Sequence, residues 1–150
     1  MTTPTIHTNA LTVPGELDSL GAIADFVIAA AATAGLEKKA TYRFRLAVDE
    51  VATNIILHGY EEAGYSGNVE LSVTIDDQAL TLAIEDTGIP YDPNRYDLPD
   101  ADDLQQPIEQ RPLGGLGVLL AIQGVDRFMY ERSNDRNRNI FVVNRPTKQP

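Results

Sequence analysis

The sequence predicts an α+β domain, a two-layer sandwich in which a mixed, mostly antiparallel sheet carries helices on one face. Three observations lead there. Two pairs of short segments alternate apolar and polar residues about polar turns, which is how hairpins are written. Two long helical segments follow one another directly, so the order is not that of a doubly wound parallel sheet. Finally, 150 residues and 16.4 kDa suit one domain over 1–150, large enough to fold without disulfides or a structural metal.

Taken in order, residues 1–15 are expected to form an N-terminal edge strand, with weak alternation from Ile6 to Val13 and a turn signal at Pro14-Gly15. Leu17, Leu20, Ile23, Phe26 or Val27, and Ala30 recur at helical spacing, predicting a helix from Glu16 to Ala34 that Gly35 closes. A second helix is predicted from Glu37 to His58, with Phe44, Val48, Val51 and Ile55 along it and Gly59 as its stop. Val69, Leu71, Val73 and Ile75 share one face of a strand over Asn68 to Asp76, and Leu80, Leu82 and Ile84 repeat the pattern from Ala79 to Glu85. A proline-, Asp- and Gln-rich stretch over 90–113 reads as a long loop, uncommon inside a compact domain unless functional. A short apolar helix from Gly115 to Gln123 follows. Arg127–Arg132 and Asn139–Val143 then make a closing hairpin around a polar turn at Asn134 to Asn137.

Composition excludes several functions. Twelve Lys+Arg against 22 Asp+Glu give a net charge of −10, so a nucleic-acid partner, whose phosphates are bound by cations, is not expected. No Cys and two His exclude a zinc site of thiolates and imidazoles. Residues 61–90 hold seven acids and no Lys or Arg. Set against Arg43 and Arg45 on the second helix, this gives a bipolar surface suited to a protein partner. No stretch reaches the ~20 apolar residues of a membrane span, since Asp25 interrupts Ala22 to Ala34. The Met-Thr-Thr-Pro-Thr start lacks the pattern of a signal peptide, so no membrane partner and a cytoplasmic location are expected.

Three clusters are candidates for chemistry. Glu50, Asn54 and His58 recur every four residues along the second helix, which stacks them on one face. By themselves they also suit a solvated stripe. Asp86-Thr87-Gly88 ends an apolar strand, where Asp86 suits a ligand amino group and Gly88 a close approach; an ordinary turn reads the same way. Gly114-Gly115-Leu116-Gly117 precedes an apolar helix. Glycines at a helix start let backbone N–H groups approach a phosphate, and a flexible hinge is the plainer alternative. The chain has neither a P-loop nor a dinucleotide fingerprint.

In combination, Glu-x-x-x-Asn on a helix, Asp-x-Gly after a strand, and Gly-x-Gly before a helix resemble the GHKL ATP-binding fold. Within that superfamily the run Arg45-Leu46-Ala47-Val48-Asp49-Glu50-Val51-Ala52-Thr53-Asn54 is most similar to the anti-sigma-factor serine/threonine kinases. The resemblance runs from about Leu17 to Arg145. It implies the histidine kinase-like, or Bergerat-type, sandwich, with ATP and Mg2+ as cofactors and 90–113 as the nucleotide lid. It implies Glu50 as general base towards a serine hydroxyl and Asn54 as magnesium ligand. Asp86 would receive the adenine amino group, with Gly88 beside the base. Gly114, Gly115, Leu116 and Gly117 would lie at the hinge of the lid and the phosphates. His58, on the same predicted helix face as Asn54, is either at the phosphate end or a satisfied surface His at the helix terminus. The chain departs from the family pattern at Pro90, where a second glycine is usual, and at Asn139-Ile140, where Gly-Thr is usual.

The function so implied is a kinase in a partner switch, binding a sigma factor or an equivalent regulator and phosphorylating a STAS-type antagonist, with the chain as a homodimer. The alternative is a nucleotide-dependent protein-binding regulator with little or no kinase activity. Glu50 favours the kinase, because an adaptor has no need of a general base. The absent hydroxyl in the last hairpin favours the regulator.

Overall fold

The computed structural model describes residues 6–93 and 115–146. Gly114 and most of the expected lid, from 94 onward, lie outside the described residues. Five strands form one sheet: β1 (His7–Pro14), β2 (Asn68–Ile75), β3 (Ala79–Asp86), β4 (Arg127–Ser133) and β5 (Arg136–Asn144). Their spatial order is β1-β2-β3-β5-β4, and every neighbouring pair is antiparallel. Of the mixed sheet allowed by the sequence, only the antiparallel kind of pairing is present among the described residues. Among the described residues three α-helices complete the layer: α1 (Leu20–Ala34), α2 (Lys38–Asn54) and α3 (Gly115–Ile122).

Strand alternation builds the core. Leu71 pairs with Ile84, Val73 with Leu82 and Ile75 with Leu80 across β2 and β3. Leu82 and Leu80 continue to Phe141 and Val143 on β5. These residues are buried with Ile23, Val27, Phe44, Val48 and Val51 of the helices in one cluster. The run Leu17–Ala34 is long and apolar enough to cross a membrane by composition, but here Ile23, Val27 and Ala31 are fully buried in that core. A 3₁₀ turn at Leu17–Ser19 leads into α1. Gly35, at φ 71°, ends it: the Gly35 N–H donates to the Ala32 carbonyl and the Leu36 N–H to that of Ala31, the paired bonds of a Schellman cap.

Two departures from the sequence reading bear on the site. The second helix does not run as α-helix to His58. After Asn54 it widens into a π-turn over Ile55–Glu61, with the Glu62 N–H donating to the Leu57 carbonyl at 2.8 Å. Such turns are rare and cluster at functional sites. The last hairpin is also tighter than expected. Asn134 and Asp135 both take positive φ, 52° and 62°, as the two central residues of a type I′ turn must. Arg136, Asn137 and Arg138 therefore belong to β5 rather than to the turn.

Candidate functional site

The apolar face of the sheet turns polar at one end. On β5, residues 137, 139, 141 and 143 share the core face by strand alternation; Phe141 and Val143 are apolar, whereas Asn137 and Asn139 are not. Asn139 stands between Ile84 of β3 and Tyr130 of β4, and Asn137 between Asp86 and Arg132. Asp86 is 2% exposed and Asn137 3%. Burying such groups is costly unless each has a partner, so the hydrogen bonds here can be followed one by one.

Asp86 Oδ1 accepts from the Gly88 N–H and from Asn137 Nδ2, both at 2.9 Å. Asn137 Nδ2 also stands 3.2 Å from the Gly88 carbonyl and 3.0 Å from that of Ile89. Asn137 Oδ1 accepts from Arg132 Nη1 at 2.9 Å and from the Tyr130 hydroxyl. Asp86 Oδ2, however, is buried with no hydrogen-bond partner. Burial pushes the Asp86 carboxyl above the usual carboxylate range, against the lowering effects of Asn137, the Gly88 N–H and Arg132.

Nδ2 of Asn54, on the last turn of α2, and Oδ1 of Asn139 are likewise buried without partners. Asp86, Asn54 and Asn139 all line one cavity, whose apolar wall includes Val51, Ile55 and Ile89. The arrangement suits a flat ligand with apolar faces and a polar edge. Asp86 Oδ2 would take a donor such as an exocyclic amine, and the Asn54 amide would meet a polar group further along α2. This donor set fits a purine nucleotide. For magnesium the described residues offer no cluster of three or more His, Cys, Asp or Glu.

The strand end and the helix are locked together. A Cβ on Gly88 would lie 2.7 Å from the Gly59 oxygen and 3.0 Å from its Cα, so the two backbones touch. The glycine is thus required by the π-turn behind it, whereas the resemblance places a base against it. Next to it, the Tyr60 hydroxyl accepts the Thr87 N–H at 2.9 Å and donates to the Asn68 carbonyl at 2.7 Å. Its ring fits a notch where a Cβ on Gly15 or Gly67 would come within 2.5 or 3.1 Å of ring carbons.

Of the residues singled out in the sequence, Asn54 and Asp86 meet at the cavity. Glu50 is one turn earlier on α2, half-buried, with its carboxylate facing α3: a Cβ on Gly117 would stand 3.4 Å from Oε2. Gly115 and Leu116 open α3. His58 is placed differently from Asn54. The π-turn breaks the four-residue stripe after Asn54, and His58 Nδ1 pairs with Glu62 Oε2 at 2.6 Å, off the cavity. Arg45 is likewise engaged, its Nε 3.5 Å from Asp49 Oδ2. Asn137 is the site residue that the sequence reading misses, because its neighbours assign it to a turn. Its even spacing from Phe141 and Val143 is the available signal.

Comparison with known proteins agrees with this geometry. The family model described as a histidine kinase-like ATPase domain matches residues 13–142. An anti-sigma F factor of Bacillus licheniformis is 30% identical over 105 residues, 67% of this chain and 66% of its own. One from Bacillus velezensis is 38% identical over 105 residues, 67% and 64% of the two chains. A serine-protein kinase of Bacillus thuringiensis is 29% identical over 77 residues, 51% of this chain and 47% of its own. The matches thus span slightly under two thirds of the anti-sigma factors' length. With Asp86 and Asn54 facing one cavity on an antiparallel α+β sandwich, the chain belongs to the histidine kinase-like ATPase domain family, with anti-sigma factors and serine-protein kinases among its relatives.

Proposed function

We propose that the chain is an ATP-binding partner-switching regulator of the anti-sigma type, and a serine/threonine protein kinase acting on a STAS-type antagonist. The observation that carries the nucleotide reading is the buried, unpartnered Oδ2 of Asp86 at the end of an apolar-walled cavity that Asn54 also lines. In this reading Asp86 holds the adenine amino group. Asn54 would hold a magnesium ion, which would supply the charge that offsets a triphosphate beside an acidic protein. Residues 90–113 act as the lid, and Gly114, Gly115, Leu116 and Gly117 as the phosphate loop at its hinge. Glu50 takes the proton from the acceptor serine. Phosphoryl transfer depends mostly on positioning and charge stabilisation, and the rigid seam between Gly59 and Gly88 supplies the positioning. A sigma factor as second partner, a homodimer and a cytoplasmic setting complete the proposal.

One observation favours the second reading, a nucleotide-dependent regulator with little transfer. The last hairpin carries Asn139-Ile140 where the family pattern has Gly-Thr, so an amide and not a hydroxyl lines the cavity there. Calorimetric titration of ATP and ADP, with and without magnesium, tests what both readings share. Magnesium-dependent binding is expected, and no binding at millimolar nucleotide would refute it. Transfer of the γ-phosphoryl group to a STAS-type acceptor then separates kinase from regulator.

A further inference from the structure

The geometry points to Asn137 as a positioning residue that decides which oxygen of Asp86 is offered to the ligand, and so sets the preference for an exocyclic amine. This rests on the reading of the cavity as a purine-nucleotide site. Asn137 sits on β5 with Asp86 on one side and Arg132 on the other. An Asn amide has one accepting end and one donating end, and either can in principle face either neighbour. Here the choice is forced. The Arg132 guanidinium has donors only, and its Nη1 lies 2.9 Å from the Asn137 amide. The Tyr130 hydroxyl donates to the same oxygen. Oδ1 therefore faces β4, and Nδ2 must face β3.

Facing β3, Nδ2 donates to Asp86 Oδ1 and stands within 3.2 Å of the carbonyls of Gly88 and Ile89. Together with the Gly88 N–H, it satisfies Oδ1 and stops the carboxylate from turning about its Cβ–Cγ bond. Oδ2 remains as the one free acceptor of this carboxylate, buried and held in a fixed direction. A ligand bringing an N–H donor there completes the set. A ligand bringing a C–H leaves a buried acceptor unpaired, and that asymmetry is where discrimination between ligands is large. The three residues act as a relay across the last hairpin, and none of Tyr130, Arg132 and Asn137 needs to touch the ligand.

The test compares ATP with purine riboside triphosphate, which differs only by a hydrogen in place of the 6-amino group. Affinities are measured for the wild type, Asn137→Asp, and the double variant Tyr130→Phe/Arg132→Met. The wild type is expected to prefer ATP by roughly ten- to hundredfold. Asn137→Asp keeps the shape but sets an acceptor against Asp86, so the two carboxylates share a proton, and the preference should collapse towards unity. The double variant leaves Nδ2 facing Asp86 and the two carbonyls but removes both bonds that anchor Oδ1 from β4, so the amide holds the carboxylate less firmly and part of the preference should be lost. Because Tyr130 is only half-buried and Arg132 is exposed, it decides the matter if Asn137→Asp does not fold. A merely structural Asn137 would weaken both nucleotides equally and lower the melting temperature with the ratio unchanged, which overturns the inference. A wild type that binds neither nucleotide overturns the nucleotide reading itself, and this inference with it.

Discussion

Replacing Asp86 by asparagine separates ligand recognition from folding, because the two should move in opposite directions. The substitution is isosteric. The oxygen of the new amide can still accept from the Gly88 N–H and Asn137 Nδ2, the two bonds now made at 2.9 Å. The amide nitrogen then replaces Oδ2, the atom that is buried without a partner. An adenine amino group would meet a donor instead of a carboxylate. A hydrogen bond to a charged group is worth about 1.5–3 kcal/mol and an unpaired buried donor costs about 1–3 kcal/mol. The sum, about 2.5–6 kcal/mol, is a loss of affinity of roughly seventy- to twenty-five-thousandfold. Stability without ligand should hold or rise. Burial holds the Asp86 carboxyl above the ordinary carboxylate range, so the folded state keeps this proton more tightly than the unfolded state does. As pH rises from the ordinary value of 3.8 through the raised folded value, the contribution of Asp86 becomes progressively less favourable to folding. An amide has no such slope. The gap between variant and wild-type stability should therefore widen with pH across that window and stay constant above it. Calorimetry with magnesium-ATP and thermal melting from acid to neutral pH measure both effects. An ATP affinity within about threefold of wild type, or a variant less stable than wild type by more than about 1 kcal/mol at neutral pH, would refute the reasoning.

Gly88→Ala should destabilise the protein by about 1–3 kcal/mol in denaturant titrations, since the new Cβ meets the Gly59 backbone, its oxygen at 2.7 Å. Unchanged stability with lost nucleotide binding would instead put the base against Gly88. Tyr60→Phe keeps the ring in its glycine notch but leaves the Thr87 N–H and the Asn68 carbonyl without their partner. A loss of about 1–3 kcal/mol is expected by thermal or chemical unfolding, with weakened ATP binding because Thr87 adjoins Asp86. Glu50→Gln should leave ATP affinity within about twofold yet slow transfer to a STAS-type acceptor by roughly a hundred- to ten-thousandfold. Transfer at the wild-type rate would remove Glu50 as general base.

Much of the fold can be read from periodicity. The period-2 runs of β2 and β3 carry both the strands and their core face, and the stripe through Phe44, Val48 and Val51 carries α2. Where reading fails, the competing physics is identifiable. A π-turn leaves no composition signal, because its cause is tertiary: the backbone of Gly88 must reach that of Gly59. Periodicity alone therefore carries the stripe of Glu50 and Asn54 on to His58, where the backbone has already left α-helical spacing. Asn137 is hidden differently. Asn134, Asp135 and Asn137 all have turn chemistry, and only the positive φ at the first two restricts the turn to them. The site residues that are legible, Asn54 and Asp86, are those whose polar side chains interrupt long apolar patterns. The supporting ones, Tyr60 and Asn137, are visible only once strands from distant parts of the chain lie side by side.

That seam also bears on why the two halves of the site sit where they do. Asp86 lies at the end of β3 and Asn54 at the end of α2, elements that on their own could slide past one another. Three contacts prevent it: the Gly59–Gly88 backbone approach, the bond from the Ile89 N–H to the Gly59 carbonyl at 3.3 Å, and the Tyr60 hydroxyl on Thr87. All three involve residues of the π-turn or of the segment just after β3. The turn thus tightens the join between helix and strand even as it relaxes the helix. A reaction whose catalysis is largely positional loses rate steeply with small displacements, so a base anchored at Asp86 and phosphates held near Asn54 need a fixed separation. A protein that only bound nucleotide would tolerate slack there. Under the proposed kinase reading, these three contacts are what would hold that separation.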